Sequence, residues 1–234
     1  MIPMPEDEEY HDYTRRFFAR WAPVYDVMEL FASGVREKVA DIAGNGEGRS
    51  ALDVATGTGK QAFAFARRGF DVTGVDLSED MLRVAQKKNR FPNARFEPAD
   101  ANRLPFGDGR FDLACISFAL HDMPPPVRAG ALAEMLRVTG PAGSIIIVDY
   151  ALPEASVLRA LSFRFIRAYE SRYYPGFVGT DLGALVRAAG IEIETERRLL
   201  LGNALVLVGR APRPGIRAGG DGPDQSAKTV MKIT

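Results

Sequence analysis

Cysteine is nearly absent. One thiol, Cys115, among 234 residues excludes an internal disulfide and any multi-cysteine metal site. Its place in the apolar run FDLACISF reads as a buried, inert side chain. Net charge is absent too: Lys and Arg number 30, and Asp and Glu number 30, so global charge gives no argument for a nucleic-acid partner. The N-terminal MIPMPEDEEYHD is acidic and lacks the basic-then-apolar order of a signal peptide. The longest strongly apolar run, SIIIV at 144–148, is far shorter than the roughly 20 residues of a membrane-spanning helix. No internal repeat is evident. These absences together suggest a soluble cytoplasmic protein with no transmembrane segment; no metal site is expected, peripheral membrane contact stays open, and so does the choice between monomer and homodimer.

What is present is an alternation of strand and helix patterns. Tyr13, Phe17, Trp21 and Tyr25 recur every fourth residue and make an aromatic stripe on a helical face, with a break expected near Ala22 because Pro23 follows. A second helix is expected over 25–42. Short apolar strands are then expected at 50–55, 70–76, 94–100, 111–118 and 143–150. Helices fall between them, one capped by Ser78, and further helices follow near 154–170 and 180–189. The stretch 191–210 reads as a hairpin turning at Gly202–Asn203. The fold class is therefore α/β: a Rossmann-like, seven-stranded, mostly parallel sheet with an antiparallel edge hairpin. The expected organisation is an N-terminal helical lid (1–45), a core (46–210) and a flexible Gly/Pro-rich tail (211–234).

In LDVATGTGKQA (52–62), a strand meets its helix through Gly57 and Gly59. Glycine there admits positive φ and close approach of a ligand to the backbone, and the helix start favours an anionic group. A plain βα turn is the bland alternative. Gly57, Gly59 and Ala62 also fit a relaxed dinucleotide fingerprint, with Asp76 ending the next strand where it can accept from ribose hydroxyls. NAD binding by an oxidoreductase thus competes. Three features tell against it. Asp53, inside the first strand, would repel a pyrophosphate and suits an amino group. Asp100 ends the third strand and can accept from an adenine amine. About fifty residues of helical pattern precede the glycine turn. Ribose, adenine and an amino group without phosphate describe S-adenosylmethionine (SAM).

At these residues the chain resembles the class I SAM-dependent methyltransferases. The segments LDVATGTG, VTGVDLSEDML, DANRLPFGDGRFDLACISFALHDM and LRVTGPAGSIIIVDY, with WAPVYD at 21–26, are similar to those of the ubiquinone/menaquinone-biosynthesis C-methyltransferase group. The resemblance covers about residues 15–150. It implies that Thr56, Gly57 and Gly59 pass beneath the methionine part of the cofactor and that Asp53 holds its amino group. It further implies that Asp76 takes the ribose hydroxyls, Leu77 and Met81 pack on the adenine, Asp100 and Ala101 address the adenine edge, and Ser117 lies near the sulfonium. The alternative for Met81 is an ordinary core residue; for Asp76 and Asp100 the alternative, which the other motifs disfavour, is a solvated strand-end acid.

Methyl transfer needs alignment more than covalent help, but a phenol or activated-carbon acceptor also asks for a base. His121 is the first candidate, against a structural histidine bonded to a loop carbonyl. Tyr25 is the second, as a lid residue, against simple packing in its stripe. His11 receives no role. A second aromatic cluster, Tyr169, Tyr173, Tyr174 and Phe177, and the basic Arg159, Arg164, Arg167 and Arg172 follow the fifth strand. Together they suit an apolar or aromatic acceptor, quinone-precursor-like or lipid-like. A catalytically silent, methyltransferase-like binding module is the non-enzymatic alternative.

Overall fold

The computed structural model describes residues 10–14, 33–152, 163–164 and 172–212. The expected break near Ala22, the WAPVYD segment with Tyr25, most of the 154–170 helix including Tyr169, and nearly all of the tail lie outside these residues.

Helix α1 (Ser33–Ala43) leads into the sheet. Then follow β1 (Ser50–Val54), α2 (Lys60–Arg67), β2 (Asp71–Asp76), α3 (Glu79–Lys88), β3 (Ala94–Pro98) and β4 (Phe111–Ser117). A 3₁₀ turn (Leu120–Asp122), α4 (Pro125–Val138), β5 (Thr139–Tyr150), a short α5 (Tyr174–Phe177), α6 (Leu182–Ala188), β6 (Glu192–Leu199) and β7 (Ala204–Arg210) complete the order. The seven strands run β3-β2-β1-β4-β5-β7-β6. All pairs are parallel except β5 with β7 and β6 with β7.

Burial explains why continuous apolar runs serve as strands here. Ile145 and Ile147 enter one core, with Leu52, Val54, Ile116 and the α4 residues Val127, Ala131 and Met135. Ile146 and Val148 enter the other, with Ala51, Leu113, Cys115 and the helical residues Val39, Ala62 and Phe65. A strand covered on both faces must be apolar at every position. The edge strand β6, EIETERRL, instead alternates in exposure, and its charges blunt an open edge. This sorts the hairpin: apolar β7 lies inside against β5, and charged β6 takes the rim.

Two boundaries differ from expectation. β3 stops at Pro98, so Asp100 lies beyond the strand in a tight turn, bridged to Arg103. β5 begins at Thr139, four residues early, because Phe111 pairs with Thr139 and Leu113 with Ser144 across an irregularity. The Gly140–Pro141 segment absorbs the extra length. Ser78 does cap α3, its hydroxyl accepting from Met81 N–H.

Candidate functional site

From β1 the chain crosses to β2 on one side, while β4 flanks β1 on the other. Such a switch point opens a crevice beyond the carboxyl ends of the strands. The β1–α2 turn bends across it. Ala55 has φ 53°, Gly57 φ 55° and Gly59 φ 83°, so three of five residues take the left-handed conformation. The turn is tied to its neighbour strand: Thr56 N–H donates to Val75 O at 2.9 Å, and Gly57 N–H to Asp76 Oδ2 at 2.8 Å. A side chain on Gly57 would project into open space, whereas one on Gly59 would meet the Phe63 and Phe96 rings at 2.9 and 3.0 Å.

Two adjoining cavities meet at Ala55, Gly57 and Phe118. The larger, about 680 Å³ of atom-free space, is lined by Asp76, Leu77, Met81, Asp100 and Ala101, and closed by Tyr10, Thr14, Asp122 and Met123. The smaller and more polar one is lined by Arg36, Asp53, Thr56, Lys60, Gln61 and Ser117. Asp53 in β1, Asp76 at the end of β2 and Asp100 in the turn after β3 thus border these adjoining cavities.

Their electrostatics differ. Asp53 is 1% exposed; burial pushes its carboxyl up to about 7, opposed by the Thr56 hydroxyl and the Arg36 charge. Thr56 Oγ1 donates to Asp53 Oδ2 at 2.6 Å. Burial also raises Asp76, against N–H groups of Ser78, Gly57 and Leu77 that favour its charged form. Asp100 Oδ1 accepts from Asn102 N–H at 2.8 Å, while Oδ2 lies 3.0 Å from His11 Nε2.

His121, in the 3₁₀ turn after β4, is 1% exposed and walled by the rings of Tyr150, Tyr174 and Phe177. Its Nδ1 lies 2.8 Å from Asp149 Oδ1, and its Nε2 lies 3.4 Å from Asp122 Oδ2. His121 does not line the larger cavity; its neighbour Asp122 does. The partner expected for a structural histidine was a loop carbonyl, and a fully buried acid, Asp149, stands there instead.

Sequence reasoning missed Tyr10, His11, Thr14, Arg36, Phe118 and Asp122. Arg36 lies on α1 and reaches the crevice only because that helix packs against α2. Phe118 has φ 53°, a conformation no sequence signal marks in a bulky residue. His11, given no role, meets Asp100. Tyr173 packs edge-on to Tyr13 at 5.7 Å, so the two aromatic clusters touch.

The crevice fits SAM. Ser117 Oγ is buried without a hydrogen-bond partner among the described residues, at the position where the resemblance puts the sulfonium end. The smaller cavity offers Asp53 to an ammonium and Arg36 to a carboxylate, and the larger presents apolar side chains between two acids. No cluster of metal-ligating side chains occurs among the described residues.

Comparison with known proteins agrees in kind. A family described as "Methyltransferase domain" matches residues 51–143. The demethylmenaquinone methyltransferase of Renibacterium salmoninarum is 37% identical over 160 residues, covering 66% of this chain and 66% of that protein. The protein of the same name from Beutenbergia cavernae is 35% identical over 167 residues, covering 70% and 68%. The chain thus spans about two thirds of the length of these relatives. In fold, a chain of the complex between the Haloferax volcanii Trm112 methyltransferase activator and a methyltransferase aligns with a TM-score of 0.70 at 18% identity, covering 87% of this chain and 99% of that one.

Proposed function

Because the chain belongs to the class I SAM-dependent methyltransferases, in the group of demethylmenaquinone and ubiquinone/menaquinone-biosynthesis C-methyltransferases, we propose that it methylates a small aromatic acceptor of the quinone-precursor kind. Family membership decides against the dinucleotide reading of Gly57, Gly59 and Ala62. The observation that carries the acceptor reading is Asp122, which lines the larger cavity beside Tyr10, Phe118, Met123 and Val127 and is backed by a buried histidine.

When bound, SAM supplies a methyl group already activated by its sulfonium, so the protein's work is alignment, exclusion of water and handling of one proton. Asp53 and Arg36 hold the amino-acid end, and Thr56 fixes the Asp53 carboxyl. Asp76 would accept from the ribose hydroxyls, Leu77 and Met81 would pack against the base, and Asp100 with Ala101 would meet its edge. Tyr10 and Thr14 cover the crevice from the N-terminal side. On the acceptor side, Asp122 would receive the hydroxyl proton of a quinol as the ring carbon gains the methyl group and the sulfonium sulfur is released as the thioether of S-adenosylhomocysteine; the hydrogen displaced from that ring carbon then returns to the quinol oxygen, which restores the aromatic ring and leaves one proton on Asp122. His121 shares that proton through Nε2, while Asp149 holds the imidazole by Nδ1. His121 is therefore a positioning residue behind Asp122 rather than the group that touches the acceptor. Tyr25 keeps its proposed place as a lid residue.

Transfer of labelled methyl from SAM to a short-chain demethylmenaquinone, reduced to the quinol, tests this directly. Product should form with the parent protein. Asp122→Asn should lower kcat by about 10²-fold with KM for SAM unchanged, and His121→Gln should lower kcat and move the pH profile. S-adenosylhomocysteine binding with no transfer to any quinol or phenol would overturn the reading in favour of a silent binding module.

A further inference from the structure

Leu200 and Leu201 are the large hydrophobic side chains that stand exposed among the described residues, Leu201 at 87%. They occupy the turn between β6 and β7, and the turn is built at a cost. Leu200, Leu201 and Gly202 have φ of 51°, 55° and 93°, three left-handed residues in succession. Glycine and asparagine take this conformation readily in hairpins; a leucine does so against steric strain. Asn203 N–H and Nδ2 both donate to Leu200 O, at 3.1 and 3.0 Å, which fixes the strained shape. Leu200 is 37% exposed and its carbonyl is held by Asn203, so the strain of the turn and the exposed apolar area of Leu201 are what oppose folding.

The position of the tip relates it to the site. Tyr150 pairs with Ala204 in the antiparallel ladder, and Ala151 N–H donates to Asn203 O at 2.9 Å. The tip therefore projects from the edge of the sheet where β1, β2 and β4 end at the crevice. Tyr150 also packs on the His121 ring at 4.8 Å, so a single residue separates the base of the tip from the proposed proton-handling group. Arg197 and Arg198, both exposed, are separated from Leu200 by Leu199 alone, Arg198 Nη1 donating to Leu152 O at 3.4 Å, while the β6 acids, Glu192, Glu194 and Glu196, lie further from the tip.

We propose that this tip is a membrane-contact element: Leu200 and Leu201 enter the acyl boundary of an anionic phospholipid bilayer, and Arg197 and Arg198 meet its phosphates. Apolar anchors flanked by cations match such an interface, where insertion and charge act together. The assignment deepens the acceptor reading and rests on it in one respect: an acceptor carrying an apolar tail would be drawn from the same membrane at the same edge of the molecule.

The test is sedimentation of the full chain with vesicles of phosphatidylglycerol and phosphatidylcholine, beside vesicles of phosphatidylcholine alone. The parent should bind the anionic vesicles, less so at high salt. Leu200→Ser/Leu201→Ser and Arg197→Gln/Arg198→Gln should each weaken that binding by about tenfold or more. Methyl transfer to a short-chain, water-soluble quinol should be unchanged in both variants, which separates this proposal from the acceptor reading: vesicle binding is scored whether or not transfer occurs. Three results would overturn the proposal. They are a parent that ignores anionic vesicles, variants that bind like the parent, and a parent dimer that the leucine variant dissociates while vesicle binding stays absent.

Discussion

At the scale of single residues, Asp53 carries the most informative charge. Its folded-state carboxyl titrates near 7 against an ordinary 3.8 because burial disfavours the ionised form. The folded protein therefore holds a proton that the unfolded chain releases between those values. The resulting stability is complete below about 3.8 and is lost as pH rises through about 7. Asp53→Asn should remove that loss, so its stability advantage over the parent should grow from pH 4.5 to 7.5 in denaturant unfolding. Parallel profiles would contradict the assignment. A bound ammonium group reverses the balance by stabilising the ionised carboxyl.

The same scale shows what the sequence could and could not reveal. Asp53 and Asp76 were legible because short apolar runs place strands and acids within or at the end of them are conspicuous, whereas Asp100 was expected at a strand tip and lies in the turn beyond Pro98. Asp122 and Phe118 were not, since they follow a strand in a turn whose direction depends on backbone angles. Tyr10, His11 and Arg36 come from segments remote in sequence, and only tertiary packing brings them to the crevice.

At the scale of elements, the β1–α2 turn is the part whose sequence is most constrained. Gly57 and Gly59 share a left-handed backbone but differ in surroundings: the first faces open space, the second faces Phe63, Phe96 and Ala85. Gly57→Ala should cost about 1 kcal/mol of stability from backbone strain alone. Gly59→Ala should cost about 2–4 kcal/mol because overpacking adds to that strain. Thermal unfolding of the pair checks the order, and equal losses would mean that packing against Gly59 is looser than described. Element types were readable from hydrophobic periodicity. Boundaries failed where a local device intervened, as at Pro98, which ends β3 early, and at Gly140–Pro141, which lets β5 begin before its apolar run.

At the scale of the whole molecule, alternating strand and helix patterns imply a parallel sheet with two cores, and the burial of Ile145–Val148 on both faces bears that out. The sequence implies an edge hairpin without ordering its strands; the structure puts apolar β7 inside and charged β6 at the rim. The resulting topology brings two strand acids, Asp100 from the turn after β3, the N-terminal residues 10–14 and the turn after β4 to one edge. No helix among the described residues is long and apolar enough to cross a membrane. Contact with a bilayer would therefore fall to a surface feature such as the Leu200–Leu201 tip.

The central claim is that this edge encloses an adenosyl sulfonium compound, with Asp76 gripping its ribose. Calorimetric titration of S-adenosylhomocysteine into the parent, Asp76→Ala and Asp76→Asn tests it most directly. The account predicts micromolar-range affinity for the parent and a loss of about 50-fold or more in both variants, from hydrogen bonds to a charged acceptor. Variants that keep their fold and bind as tightly as the parent would contradict it.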